Sequence, residues 1–235
     1  MTDLVNNWKI VLERIQIASQ STQRSVKLIA VSKTKPVENI VELYQAGQLD
    51  FGENYIDELE KKSNDDLILT QCPEIRWHLI GHLQSNKINR VLTRIPNLVC
   101  IQTVDSIDLA TKLNNNLAQQ SKTLNILIQI NTSNEAQKSG VPIQEFLSLY
   151  EHVKTNCSQL IVQGLMTIGL LDNVNASDDS DFHTLVQCRN QLCEKYKIPI
   201  DEIELSMGMS HDYERAIQVG STIVRVGSLI FGARL

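Results

Sequence analysis

Lys27-Leu-Ile-Ala-Val-Ser-Lys-Thr-Lys-Pro36 is the stretch on which the fold turns. Four consecutive apolar residues, Leu28 to Val31, suit a strand covered on both faces, as in a parallel sheet. Side chains alternate along a strand, so Ile29, Val31 and Lys33 share one face while Leu28, Ala30 and Ser32 share the other. Pro36 stops the strand and suits the first turn of a helix over Val37 to Ala46. Lys33 therefore stands at the carboxyl end of a buried strand, where α/β folds bind ligands. An amine held there against an apolar wall favours Schiff-base chemistry, whereas most lysines at strand ends are simply solvated. Lys35 falls on the opposite face and is expected to point to solvent.

Outward from this stretch, strand and helix patterns alternate. Strands are expected at Leu28 to Ser32, Asp50 to Asn54, Ile75 to Gly81, Leu98 to Val104, Leu124 to Asn131, Leu160 to Met166, Glu202 to Ser206 and Thr222 to Val226. Helices are expected at Tyr55 to Lys62, Ser85 to Ile95, Ser106 to Gln120 with Ser106 as N-cap, and Pro142 to Thr155. Asp3 to Gln20 has helical periodicity, with Leu4, Val5, Trp8, Ile10, Val11, Leu12, Ile15 and Ile17 as a broad apolar stripe and Asp3 as candidate N-cap. Eight strands separated by helix-sized segments predict parallel pairing through crossover helices and closure into a (β/α)8 TIM barrel, with the leading helix as an addition on its outside or end. A doubly wound open sheet is the alternative, but no G-x-G-x-x-G follows the first strand.

The 235 residues suffice for one large α/β domain, and the absence of a repeat or linker makes it a single domain. A net charge of −5 without a dense basic stripe argues against a nucleic-acid surface. No apolar run is long enough to span a bilayer, so no membrane association is expected. Met1 to Trp8 carries no secretory pattern. Cys72, Cys100, Cys157, Cys188 and Cys193 are scattered without a C-x-x-C pair, which suggests neither a disulfide framework nor a zinc site and fits a reducing, cytoplasmic setting. Gly169 to Asp181 is a polar, acidic stretch holding Asp172, Asn173, Asn175, Asp178, Asp179 and Asp181. Its spacing fits no EF-hand, and it is read as a solvated loop, as is the segment with Lys138 and Gly140.

In such a barrel the residues that matter end the strands. These are Gly52-Glu-Asn54, Trp77 and His78 with Gly81 to Lys87, Ser206-Met-Gly-Met-Ser210, and Val224 to Gly232. Phosphate sites often lie on the loops after strands seven and eight. Both loops here are rich in Gly and Ser. Gly208, Gly227 and Gly232 allow close approach of backbone amides to an anion, and Ser206, Ser210 and Ser228 add hydroxyls. The bland alternative is that the glycines only make tight turns. Arg225, within strand eight, needs partners if buried. It either pairs structurally, for instance with Glu204 or Glu53, or faces a ligand. His78 and His82 are four apart, but the strand context spoils a helical metal pair.

Ala30-Val-Ser-Lys-Thr-Lys-Pro36, Phe51-Gly-Glu-Asn-Tyr55, Trp77-His-Leu-Ile-Gly81, Leu83-Gln-Ser-Asn-Lys87, Gly164-Leu-Met166, Leu205-Ser-Met-Gly-Met-Ser210 and Val224-Arg-Val-Gly-Ser228 with Phe231-Gly232 resemble, in order and across nearly the whole chain, the pyridoxal phosphate homeostasis family of the YggS/PROSC type. That family has a single barrel similar to the N-terminal domain of alanine racemase. The resemblance implies that Lys33 forms an internal aldimine with pyridoxal 5′-phosphate. It implies that Ser206, Ser210, Gly227 and Ser228 hold the phosphate, that Asn54, His78 and Met207 line the ring, and that Arg225 faces the pyridine nitrogen. Two positions depart from the pattern, Gly169-Leu-Leu after strand six and His211 after the Met-Ser turn. Neither is expected to touch the cofactor.

The resemblance implies a role in cofactor balance, with pyridoxal-phosphate-dependent apoenzymes as recipients. A racemase-like enzyme is the competing reading. An arginine at the pyridine nitrogen donates a hydrogen bond without protonating the ring, which suits restricted carbanion chemistry. A racemase also needs a second base, which alanine racemases take from an additional domain. The chain is expected to lack one and hence to be a non-catalytic carrier; it is also expected to be a monomer.

Overall fold

The apolar runs become eight parallel strands because each is covered on both sides. They are β1 Lys27–Val31, β2 Asp50–Glu53, β3 Arg76–Leu79, β4 Leu98–Val104, β5 Leu124–Asn131, β6 Leu160–Met166, β7 Glu204–Ser206 and β8 Ile223–Val226. The computed structural model describes residues 2–20, 24–133, 139–169 and 178–232. In it, each strand pairs in parallel with its sequence neighbours. β1 also pairs with β8, Ile29 lying opposite Arg225. That last pairing closes the sheet into a (β/α)8 barrel and removes the open-sheet alternative. A two-residue strand, Val141–Pro142, adds to the end of β5.

Apolar packing lies in two places. One large core fills the space between barrel and helices, with Phe51, Trp77, Leu79, Ile101, Ile126 and Leu205 all fully buried. Inside the barrel a smaller set, Ile29, Cys100, Leu127, Met166 and Ile223, shares the space with buried polar side chains. All five cysteines are buried and unpaired. No helix among the described residues is long and apolar enough to cross a membrane.

The leading helix, α1 (Asp3–Gln20), packs against the helices Tyr213–Val219 and Ser228–Phe231 that follow the last two strands. Its buried residues are Trp8, Val11, Ile15 and Ala18, a narrower stripe than the apolar pattern suggests. Ile10 and Ile17 are exposed. Trp8 Nε1 donates to Gln48 Oε1 at 2.9 Å, and Gln48 Nε2 donates to the carbonyls of Leu28 and Asp50, so α1 is tied to the backbones of β1 and β2. Asp3 is not the N-cap: it lies inside the helix, and the Thr2 hydroxyl accepts from Val5 N–H instead. Ser106 does cap its helix, accepting from Leu109 N–H.

Several boundaries shift for local reasons. The helix after β5 starts at Phe146, because Val141–Pro142 is engaged as strand. The segment from Ser85 begins as a 3₁₀ turn and becomes α-helical over Ile88–Arg94. β3 stops at Leu79, leaving Ile80 and Gly81 to bend toward β2. A Cβ at Gly81 would sit 1.9 Å from the Asn54 carbonyl oxygen, so only glycine fits that approach. In the acidic segment, Asp179 pairs with Arg215 and Asp178 Oδ1 accepts from Ser180 N–H at the start of the helix Ser180–Tyr196. Asp172, Asn173, Asn175 and Lys138 lie outside the described residues.

Candidate functional site

A cavity of about 430 Å³ opens at the carboxyl ends of the strands. Val31, Lys33 and Lys35 come from the end of β1 and its loop, Asn54 from the end of β2, and Ile80 from beyond β3. Met166 and Ile168 come from the end of β6. Met209, Ser210 and His211 follow β7, and Arg225, Gly227 and Ser228 come from β8 and the turn after it. Seven of the residues singled out in the sequence as site candidates thus meet here: Lys33, Asn54, Ser210, Arg225, Gly227, Ser228 and Gly232. Among the described residues, the Oδ1 atom of Asn54 is buried with no hydrogen-bond partner, in a residue that lines the cavity.

The loop carrying Lys33 is clamped from behind. Lys62 Nζ donates to the Ser32 carbonyl at 2.7 Å and pairs with Glu53 at 2.7 Å and Glu58 at 2.6 Å. Ser32 Oγ donates to Glu53 Oε1 at 2.6 Å, and Glu58 Oε1 accepts from Thr34 N–H at 2.5 Å. The residues on both sides of Lys33 are therefore held by one buried ionic cluster. Burial pushes the Glu53 carboxyl up, against the opposing pull of Lys62.

Lys35 corrects the sequence reading, because it lines the cavity rather than facing away. Strand alternation ends at Ser32. Thr34 has φ 64°, and Lys35 N–H returns to the Ser32 carbonyl at 3.0 Å, so the turn brings Lys35 back to the same side as Lys33. His211 is a second correction: expected away from the site, it forms part of the lining. Of the apolar wall, Ile80, Met166 and Ile168 were missed, while Met209 and Phe231 fall in stretches that the sequence placed at the strand ends and Val31 on the face of Lys33.

The loops after β7 and β8 are joined. Gly227 N–H donates to Ser210 Oγ at 3.2 Å, and Met209 N–H donates to Asp212 Oδ1 at 2.6 Å. Gly208 adopts φ +92°, and a Cβ there would meet the Ala216 Cβ at 2.6 Å, so the turn that aims Ser210 at the cavity requires glycine.

Three expected contacts lie elsewhere. Met207 is fully buried and outside the lining. Ser206, expected among the phosphate-holding hydroxyls, is fully buried between Arg225 and Gln102. His78, expected beside a ring, is buried below, between Gln102 and Asp50. Arg225 is not paired with Glu204 or Glu53 among the described residues. Its Nη1 donates to Ser206 Oγ at 2.6 Å and its Nη2 to the Thr167 carbonyl at 2.7 Å. Burial pulls its guanidinium down to about 10, against an opposing effect from Asp212.

Fold and site together define a (β/α)8 barrel with a ligand cavity at the carboxyl ends of its strands. A family model described as "Alanine racemase, N-terminal domain" matches residues 8–235. The human pyridoxal phosphate homeostasis protein is 44% identical over 234 residues, covering 96% of this chain and 85% of its own. The protein of that name from Haemophilus influenzae is 39% identical over 236 residues, covering 99% and 96%. The structure of PipY from Synechococcus elongatus with PLP bound superposes with a TM-score of 0.77 at 33% identity, over 94% of this chain and 99% of that one. The chain belongs to the pyridoxal phosphate homeostasis protein family.

Proposed function

We propose that this chain binds pyridoxal 5′-phosphate in the cavity at the carboxyl ends of the strands and serves to buffer or supply that cofactor, without turning over a substrate. One observation carries the reading: Lys33, Arg225, Ser210, Gly227 and Ser228 line a single cavity. The ε-amine of Lys33 is the group that would hold the cofactor covalently. Ser210, Gly227 and Ser228 offer hydroxyl and amide donors for a phosphate. Asn54 would stand beside the ring, and Arg225 would offer a donor to the ring nitrogen. When bound, the cofactor supplies a reactive aldehyde and an electron-withdrawing ring. A guanidinium, charged and without an acceptor atom, donates to a ring nitrogen but does not protonate it. The site is thereby tuned to hold the aldehyde rather than to stabilise a carbanion. The names of the relatives support this reading over a racemase. Pyridoxal-phosphate-dependent apoenzymes are the recipients in this reading. In this reading the chain acts as a monomer, and five buried, unpaired thiols are consistent with a reducing cytoplasm.

Protein purified with pyridoxal 5′-phosphate should be yellow, and Lys33→Ala should abolish the colour. A peptide map after borohydride reduction should place the adduct on Lys33; an adduct confined to Lys35 would overturn the assignment. Incubation with a panel of L-amino acids should yield no D-enantiomer, and robust racemisation would defeat the carrier reading.

A further inference from the structure

A chain of buried side chains runs from the cavity down the inside of the barrel. Arg225 Nη1 donates to Ser206 Oγ at 2.6 Å, and Ser206 Oγ donates to Gln102 Oε1 at 2.8 Å. Gln102 Nε2 meets His78 Nδ1 at 3.3 Å, His78 Nε2 meets Asp50 Oδ1 at 2.8 Å, and Asp50 Oδ2 pairs with Arg76 at 2.8 Å. Ser206 and Gln102 are fully buried, and His78 and Arg225 are each 4% exposed. Asp50 and Arg76 begin their strands, so the chain ends toward the opposite mouth of the barrel.

The direction of every link follows from chemistry. A guanidinium only donates, so the Ser206 oxygen accepts from it and the single hydroxyl proton goes to Gln102 Oε1. The Gln102 amide nitrogen then faces His78 as a donor, so Nδ1 must accept. The ring proton is on Nε2, pointing at the Asp50 carboxylate. Turning the Gln102 amide over would leave the Ser206 proton without its acceptor. It would also require both His78 nitrogens to carry protons. Besides Asp50, the charged groups acting on His78 are Lys27 and Arg76, and both oppose a second positive charge in the barrel.

We infer that Ser206, Gln102, His78 and Asp50 form a one-directional hydrogen-bond relay that fixes the pose of Arg225 in the cavity, with His78 and Gln102 as positioning residues that never touch the ligand. The relay gives a buried cation what no carboxylate among the described residues gives it directly. Each dipole points its negative end at Arg225, and the relay ends on the Asp50 carboxylate, itself paired with Arg76. Disturbing His78 or Gln102 therefore changes the donor offered to a ligand at the other end of the chain. The inference deepens the proposed cofactor site and rests on that reading only for its ligand arm.

The test has two arms. In cofactor-free protein labelled with ¹⁵N-histidine, long-range proton–nitrogen spectra at pH 7 should show His78 as the Nε2–H tautomer, assigned by its loss in His78→Gln. An Nδ1–H tautomer would overturn the relay whether or not any cofactor binds. In the second arm, pyridoxal 5′-phosphate is titrated into wild type, Gln102→Leu and Gln102→Glu, with folding checked by circular dichroism. Gln102→Leu should weaken binding about tenfold, the equivalent of one hydrogen bond to a charged group, and shift the long-wavelength absorption of bound cofactor. Gln102→Glu supplies one oxygen to Ser206 and one to a doubly protonated His78. It should restore affinity to near wild type, with both His78 nitrogens protonated. A purely space-filling role predicts the reverse order, with leucine tolerated and glutamate harmful; that order overturns the relay. Wild-type protein that shows the Nε2–H tautomer but takes up no pyridoxal phosphate would leave the relay standing and defeat the cofactor reading instead.

Discussion

Two buried cations serve the same cavity, and they are neutralised in opposite ways. Lys62, behind the Lys33 loop, has two carboxylates within 2.7 Å. Arg225, in the wall of the cavity, has a hydroxyl and a backbone carbonyl. An ion pair spends a cation's charge on its partner; a set of neutral dipoles leaves that charge available to a third party. Lys62 accordingly belongs to the scaffold that fixes where Lys33 stands. Arg225 keeps its field for whatever enters the cavity. The contrast suggests that here stability is concentrated behind the reactive loop, and affinity at the end of β8.

The sharpest way to break this contrast is Lys62→Met. It leaves Glu53, fully buried, with its charge uncompensated, and should cost about 3–5 kcal/mol in urea unfolding. Adding Glu53→Gln should recover most of that loss, because the orphaned charge is removed with its partner. A double variant as unstable as the single would mean that packing, not charge, is what Lys62 provides.

Arg225→Met comes next. It takes away two hydrogen bonds but also relieves the burial of an unpaired charge, so stability should change by no more than about 1–2 kcal/mol. Affinity for pyridoxal 5′-phosphate should fall clearly. A large loss of stability with unchanged affinity would invert the roles given to the two cations.

The smallest effect is a dependence on pH. Burial lowers the His78 pKa from its ordinary value of 6.5, against the opposing pull of Asp50. The unfolded chain then binds more protons than the folded one just below 6.5, so folding stability should decline as pH falls from 7 through that value. Glu53, raised from 4.5 by burial, acts in the opposite sense in the window just above 4.5. Comparing the urea midpoints of wild type and His78→Gln between pH 7 and 5.5 isolates the histidine part. Equal slopes would show that His78 does not stay neutral in the barrel.

The contrast between the two cations also shows what the sequence alone could reveal. Barrel closure was legible because Leu98 to Val104, Leu124 to Asn131 and Leu160 to Met166 are long apolar runs, and the strands there have the expected bounds. The short helix Asp66–Gln71 was not, having too few residues for a period. In the site, residues within one motif, such as Lys33 and Ser210, could be found from local spacing. The relay leading from Arg225 could not, since Ser206, Gln102, His78 and Asp50 come from four different strands and meet only when the sheet closes. The face of Lys35 was misjudged for a similar reason, because one positive φ at Thr34 cancels the alternation that a strand guarantees. Sequence periodicity describes each regular element by itself: the relay depends on how four strands come together, and Lys35 on a turn where regularity ends.

The five buried thiols give the molecule a set of internal witnesses. Burial pushes Cys72 and Cys188 up to about 11 and Cys100 up to about 12, so at neutral pH almost none of these sulfurs is a reactive thiolate. An alkylating reagent can therefore reach them only through transient openings. Cys100 lies in β4 inside the barrel, while Cys188 and Cys193 lie on the helix Ser180–Tyr196. The order in which mass spectrometry finds them labelled would trace how the molecule comes apart, outer helix against inner wall, with no probe added to the chain.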